Sequence, residues 1–573
     1  MDSKITCAGL SKRIQKKNKP SGLIEFVRMI ISVWGDEVLG IGVKVIHYDM
    51  KKLSKYFVVL LLLLASIAVG IWKYSDGRSN AEDYTYIKQL IESIAETGVP
   101  SSDAQNAIND MLFDGVLTTP PEELCVKPLA AKSHMDAPFA YHPYFILYII
   151  APLANLLSAE LLLALITVGG FFLLLYFNFS YMQSQKVGVF ISLCLLLLFT
   201  VHPVWSQALQ GQYYVERFFI PLAAWLIWLI NRDSRNFSLI FLVTILCVLV
   251  TERTGLIVGA YLIMHALIYR NIVRRERLFL LVFGVLSLSY SASLMTFYLD
   301  NASYSSGGFF PHNLSELFQR FTDDAFVSKL GVFSFYNLLV LGLFAVWDWR
   351  AFSIALVMML PNMVGNIGGA EKTGFLTHYH SLYLPFLFWA ASSGTVKLYH
   401  QLLHTPVIIR RGVVVFMSVF LIPMVAFSGV SAASRIDFSS NHLNDLVIVK
   451  AFKQLPECFD GGAIAQWRKG VDDIRSAVPE GVKVTTSFWG MPILEHNRSL
   501  YYYPLGLDVA DYAVLRFQMK NGSYYYTGAI SYLGADAQNA IDQCMNLRLR
   551  EVGFNVDDPL ILGGTAILKR GGK

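Results

Sequence analysis

Charge is what this sequence has least of. Asp, Glu, Lys and Arg make up 16% of its 573 residues, where about 25% is usual for a soluble chain. So few charges cannot cover the three or four globular domains that the length alone would suggest. Cysteine is sparse too, with six in all, and neither a Cys-x-x-Cys nor a His-Glu-x-x-His pattern occurs, so nothing signals a zinc site. No internal repeat is evident. The first long apolar run starts near residue 56, which argues against a cleavable signal peptide at the start. The net charge is only +5, and the basic residues flank apolar runs instead of forming one stripe, so no nucleic-acid partner is expected.

Hydrophobic residues, by contrast, reach 54%, and runs such as 57–72 (FVVLLLLLASIAVGIW) are long enough to cross a bilayer. About eleven spans are expected, over 56–73, 160–178, 187–202, 218–231, 237–250, 254–270, 277–296, 331–347, 351–367, 382–398 and 412–429. The Lys and Arg residues orient them. Lys12, Arg13, Lys16, Lys17, Lys19, Lys51, Lys52 and Lys55 put residues 1–55 on the cytoplasmic side, and Lys186, Arg232, Arg235, Arg270, Arg274, Arg350, Lys397 and Arg410 then fall on that side as well. The opposite loops, and a tail from 430 to 573, face outward. Residues 22–47 read as a cytoplasmic interfacial helix. Within the external loop 74–159, the Pro-containing segment 142–157 reads as a re-entrant or interface-lying helix. The expected fold class is thus an all-α polytopic membrane domain over 56–429, followed by a small α/β extracytoplasmic domain. In that domain VKVTTSF, SLYYYP and DYAVLRF are strand-like, residues 534–550 are helix-like, and 551–569 holds two further short strands. Cys458 and Cys544 are a pair that a disulfide could join if that side is oxidising, leaving Cys125 over, although sequence does not determine pairing.

Ionisable groups at the mouths of spans cost about 2.5–3.5 kcal/mol each to insert, and five clusters fall on the external side. Glu82-Asp83 begins a helix whose dipole favours negative charge, a position that simple capping also explains. His142 precedes a proline, where a structural role is the common one. Glu216-Arg217 follows Gln212, Tyr213 and Tyr214; it reads either as an internally satisfied ion pair or as a holder of a sugar and its phosphate. Glu252-Arg253 sits in a turn with almost no loop, where charge is otherwise unneeded. Lys372 and His378-Tyr379-His380 precede the 382–398 span; the i,i+2 spacing suits chelation poorly and hydrogen bonding to phosphate or sugar better. Together these groups suit a phosphate-bearing, hydroxyl-rich substrate with an apolar tail in the bilayer, held in a single wet pocket at the outer face.

The sequence resembles the GT-C superfamily of integral-membrane glycosyltransferases, and within it a bacterial branch of multi-spanning membrane proteins of unknown function. Asp83 and Gln89 match that branch's Asp and Gln six residues apart. His142 and Ala151-Pro152 match a His opening a segment that ends Ala-Pro. Glu252 matches its acidic turn residue, and His378-Tyr379 ahead of Leu384-Pro385-Phe386 its His-Tyr before Leu-Pro-Phe; the segment VPEGVKVTTSFWGMPILEHNRSLYYYP is similar to its C-terminal region. The chain departs from it at Lys88, where a second Asp is usual, at Glu216-Arg217-Phe218 in place of His-Pro-Glu, and at Thr251 and Arg253.

The resemblance implies an inverting enzyme that moves a sugar from a polyprenyl-phosphate carrier to a glycan, lipid or protein acceptor at the external face of a bacterial inner membrane. Asp83 would be general base, with Glu82 in reserve. Arg217, Arg253, Lys372 and His378 would bind the donor phosphate. His142, Glu216, Glu252, Tyr379, His380, Gln212 and Tyr213 would bind substrate. No cofactor and no metal are implied. A transporter or flippase of a lipid-linked glycan could use the same buried charges, though such proteins usually carry an inverted repeat; an inactive scaffold of an envelope-assembly complex is the third reading. Trp489 and Tyr501, Tyr502 and Tyr503 could stack on sugars, but aromatics alternating on a strand favour a core role.

Overall fold

The run 57–72 is almost entirely apolar, with only Ser66 and Gly70 interrupting it and no proline to end a helix, and Ile46–Ser75 forms one of 30 residues. At 1.5 Å per residue it is about 45 Å long, more than the roughly 30 Å of a bilayer's hydrocarbon core. Leu60, Leu63, Leu64 and Ile67 are exposed along it, an apolar face that suits lipid. The computed structural model describes residues 46–113 (save 78, 79 and 81), 142–298 (save 233, 234, 270 and 271), 313–322, 334, 337–338, 341–364, 381–406, 447–527 (save 460, 498 and 521) and 535–571. Among these the chain is mostly helical, with a small sheet near its C-terminus.

Four described helices are long and apolar enough to cross a membrane: Leu53–Ser75, Ala159–Ser184, Arg274–Thr296 and Gly342–Asn362; a fifth span results if Val189–Thr200 and Val204–Gln210, bent by 68°, are taken together. The count of about eleven is therefore not reached among the described residues. Helices do stand at other expected spans, but Phe219–Ile230 and Phe237–Val248 have 12 residues each and Glu252–Ile268 has 17. The loop expected around Arg350 is replaced by helix: one 3-10 turn, Val346–Asp348, links Gly342–Ala345 to Trp349–Val364. Asp348 is kept there by Lys397 and by the Ser393 hydroxyl, which donates to it at 2.6 Å. The 412–429 span, most of 331–347 and nearly all of the 22–47 helix lie outside the described residues. Segment 142–157 is helical only over Leu147–Ile150 and the 3-10 stretch Ala151–Asn155, too short to cross.

The chain divides into two compact units along lines other than the linear domains expected. The first holds residues 1–73, 164–211 and 215–459; the second holds 74–163, 212–214 and 460–573. The external loop and the tail thus build one unit together.

In the first unit, Glu252–Ile268 and Arg274–Ser293 pack at backbone distance. A Cβ on Gly259 would stand 2.7 Å from the Gly284 carbonyl oxygen and 2.7 Å from Leu288 Cγ, the close approach that small residues four apart (Gly255 and Gly259) allow between membrane helices. Gly259→Ala is expected to destabilise this unit by about 1–3 kcal/mol through overpacking, read as a lower melting temperature in detergent with the far-ultraviolet spectrum unchanged.

In the second unit the sheet is built from β1 (Val484–Thr486), β2 (Leu500–Tyr502), β3 (Tyr512–Lys520), β4 (Ser523–Thr527), β5 (Leu560–Leu562) and β6 (Thr565–Lys569), in the order β2-β1-β3-β6-β5 with β4 also on β3. β1 runs parallel to both β2 and β3, with Val484 opposite Leu500 and Tyr512. The strands fall in the segments read as strand-like, and the helix Ala535–Glu551 where one was read; β4 is additional. Tyr502, Tyr503, Leu505, Leu515 and Leu549 fill the core on one face of the sheet, and Tyr501 packs against it. Cys544 is disulfide-bonded, but Cys458 is not. Cys458 sits on a 3-10 turn of the first unit, its thiol 3.7 Å from the Gln454 carbonyl oxygen, so the Cys458–Cys544 pairing is not formed and the partner of Cys544 lies outside the described residues.

Burial, with the Arg475 guanidinium, holds His496 below its usual range. Folding therefore favours the neutral ring. Its contribution to stability is complete above the unfolded value of about 6.5 and is lost as pH falls through 6.5 toward the depressed folded value. Thermal unfolding followed between about pH 8 and about pH 5 should show this loss, and His496→Gln should reduce it.

Candidate active site

Asp83 lies in the first turn of the helix Glu82–Thr97, whose Ile87, Leu90, Ile91 and Ile94 are buried. That apolar face holds the helix down and leaves its N-terminal turn to carry the carboxylate. Gln212 Nε2 donates to Asp83 Oδ2 at 2.7 Å and to the Tyr214 hydroxyl at 2.9 Å, and Gln212 Oε1 accepts from the Tyr84 backbone N–H at 3.4 Å. The Tyr84 and Tyr213 rings meet at 5.7 Å. Three residues picked out by sequence, Asp83, Gln212 and Tyr213, are thus brought together across more than a hundred positions. The amide thereby orients the Asp83 carboxylate through one of its oxygens.

His142 belongs to the same surroundings. Its ring is 5.5 Å from that of Tyr144, whose hydroxyl hydrogen-bonds the Tyr86 hydroxyl at 3.0 Å. Tyr86 follows Asp83 by one helical turn, on the same face. Glu82 opens this helix, but its side chain lies outside the described residues.

Gln89 has a scaffolding role. Buried completely, its Oε1 accepts from Ser102 Oγ at 2.8 Å and from the Ala104 N–H at 3.0 Å, and its Nε2 donates to the Glu495 carbonyl at 3.4 Å. It ties the Asp83 helix to the next helix, Asp103–Phe113, and to the tail. Lys88, which stands where the related branch has an Asp, bonds Glu495 at 2.9 Å and Glu92 at 3.4 Å. Burial opposes its charge, but Glu495 and Glu92 outweigh burial and raise its pKa above the usual lysine range. Burial and then the Glu495 and Glu160 carboxylates push the Tyr84 hydroxyl well up, so it is a neutral donor.

The first unit carries the other group. Glu216 and Arg217 occupy the 3-10 turn Val215–Phe218 and are both almost wholly buried. Glu252 and Arg253 open the helix Glu252–Ile268, with Arg253 Nε 3.3 Å from Glu252 Oε1. Thr254 Oγ1 accepts from the Thr251 N–H at 3.1 Å and donates to the Cys247 carbonyl at 2.7 Å. That bond lets the chain reverse between the helices Phe237–Val248 and Glu252–Ile268 almost without a loop. The hairpins joining Phe219–Ile230, Phe237–Val248 and Glu252–Ile268 are short, so the first and third helices run the same way. Tyr261 and Phe219 both touch Phe386, and His265 touches Trp389, so Leu384–Leu403 runs that way too. Glu216-Arg217 and Glu252-Arg253 are therefore at the same end of this unit. Lys372, His378, Tyr379 and His380 lie outside the described residues.

Three features escaped the sequence reading. Lys73 is buried at the end of the first span and donates to the carbonyls of Gln210 (3.3 Å) and Gly211. Glu160 begins the Ala159–Ser184 span and meets Arg468 at 3.3 Å. Glu495 meets Lys88 and, at 2.7 Å, Arg475. Glu160 and Glu495 line a cavity of ≈ 860 Å³ within the second unit, along with Trp467, Trp489 and Arg516. The available signal was the one applied elsewhere, a lone carboxylate in an apolar run, as in SAELLLAL and MPILEHN.

A family model described as "Predicted membrane protein (DUF2079)" matches residues 80–519. The chain belongs to this family. The match takes in the Asp83 helix, both acidic turns and three of the six strands, β1, β2 and nearly all of β3, so the DUF2079 region draws on both units. No curated protein matches the chain. Among solved structures it is similar to ArnT from Cupriavidus metallidurans in the apo state, with 11% identity, a TM-score of 0.47, and coverage of 91% of this chain and 100% of that one. It is likewise similar to ArnT from the same organism bound to undecaprenyl phosphate, with 12% identity, a TM-score of 0.45, and coverage of 90% and 99%.

Proposed function

We propose that this DUF2079 protein is an inverting glycosyltransferase of GT-C type. It takes a sugar from a polyprenyl-phosphate carrier and places it on a glycan, lipid or protein of the cell envelope. The reaction runs at the outer face of the bacterial inner membrane, with the N-terminus cytoplasmic and the tail outside. The observation that supports it most is the Asp83 carboxylate at a helix N-terminus, oriented by Gln212 and set among Tyr84, Tyr213 and Tyr214.

In this reading Asp83 accepts the proton of the acceptor hydroxyl as that oxygen attacks the anomeric carbon. The bond from that carbon to the phosphate oxygen breaks on the opposite side, so configuration inverts, and the polyprenyl phosphate leaves with the electron pair. Arg217, Arg253, Lys372 and His378 offset its charge. Glu216, Glu252, Tyr379, His380, Gln212, Tyr213 and His142 bind sugar or acceptor, Glu82 backs up Asp83, and the step uses no metal.

The test is transfer of labelled sugar from synthetic polyprenyl-phosphate donors by the full-length protein in liposomes. Transfer with inverted configuration is expected from at least one donor. Failure across a broad donor panel, with the protein intact, overturns the reading and favours a transporter or scaffold.

A further inference from the structure

The ≈ 860 Å³ cavity of the second unit contains none of the residues to which the reaction above assigns a role. Its size lies within the roughly 300–1,000 Å³ typical of small-molecule sites. Trp467 on the helix Ala463–Ala477, Trp489 after β1 and Tyr84 supply ring surfaces. The three lining carboxylates already have cations: Glu160 has Arg468, Glu495 has Arg475 and Lys88, and Asp472 has Arg475 at 4.0 Å. Arg516 on β3 differs. Its guanidinium lies over the Trp489 indole at 4.6 Å, and no carboxylate pairs with it among the described residues. Stacking occupies the face of a guanidinium and leaves its in-plane N–H donors for an anion. Glu495, only 7% exposed, has a second oxygen that accepts from no described donor. A bare anion would meet the three carboxylates of the wall, Glu160, Asp472 and Glu495. A hydroxyl-rich ring with one negative group would donate to those carboxylates and still satisfy Arg516.

We infer that this cavity binds an acidic sugar, its ring against Trp467 and Trp489, its hydroxyls toward Glu495, and its anionic group on Arg516. The inference rests on the glycosyltransferase reading only in naming this sugar as part of the acceptor; binding is measured apart from transfer.

The probes are a galacturonic acid trisaccharide, the neutral galactose trisaccharide and inorganic phosphate, each titrated calorimetrically into the full-length protein in detergent. The acidic trisaccharide is expected to bind at least about tenfold more tightly than the neutral one. Arg516→Gln should remove that preference and leave neutral-sugar affinity in place, while Trp489→Leu should weaken both sugars. Equal binding of acidic and neutral sugars, phosphate competing on equal terms, no binding at all, or an unchanged preference in Arg516→Gln would each overturn the inference. Binding that persists in a protein without transfer would sink only the enzymatic reading. Transfer without binding would sink only this one.

Discussion

Asp83→Asn is expected to slow sugar transfer about 10²–10⁴-fold, the range that a positioned general base supplies, with donor affinity unchanged. The amide has the shape of the carboxylate and still accepts a hydrogen bond from Gln212 Nε2, which holds Asp83 at 2.7 Å in the native protein. It cannot take up the acceptor proton. Gln212→Leu should have a smaller effect on turnover, because it removes the orientation of the base and leaves the base itself. The measurement is single-turnover transfer with saturating donor, with donor binding followed separately. Wild-type turnover in Asp83→Asn would eliminate this residue as the base.

The largest expected effect on stability comes from Glu495→Ala. Glu495 joins Lys88 at 2.9 Å and Arg475 at 2.7 Å, and its carbonyl receives Gln89. Removing the carboxylate leaves Lys88, half-buried, with Glu92 at 3.4 Å as its one remaining carboxylate among the described residues. Breaking a buried pair costs about 3–5 kcal/mol, and the lower end applies because Arg475 is 34% exposed and screened by solvent. Thermal unfolding of the full-length protein should show this as an earlier transition, and Lys88→Met in the same chain should recover part of it by removing an ammonium that Glu92 alone then faces. A Glu495→Ala protein as stable as the parent would show that this network is not what holds the Asp83 helix to the tail.

Much of this was legible from residue order. Apolar length announced the helices at 53–75, 159–184 and 274–296, and alternating β-branched and aromatic residues announced β1, β2 and β3. The extent of helix around residue 350 was not legible. Arg350 looks like a loop residue because it is charged, yet Asp348 beside it is satisfied by Lys397 and Ser393 from a helix far along the chain, and the backbone can stay helical there. The expectation of core packing for the tail aromatics holds: Tyr502 and Tyr503 are core, and Trp489 packs against a second core cluster while its indole also lines the cavity under Arg516.

By itself the sequence determined that the chain lies in a membrane, where several of its long helices and all its described strands but β4 form, and which ionisable residues stand at helix ends. These depend on composition and short-range periodicity, which act within a few turns of chain. Only the tertiary structure decided that residues 74–163 and 460–573 build one unit, that Gln212 is the partner of Asp83, that Lys88 answers Glu495 across some four hundred positions, and that Cys458 stays a thiol. Such pairings depend on which distant groups share a desolvated space. An isolated carboxylate or ammonium there is so unfavourable that its partner must be supplied from wherever the fold brings one, and local sequence carries no record of that partner.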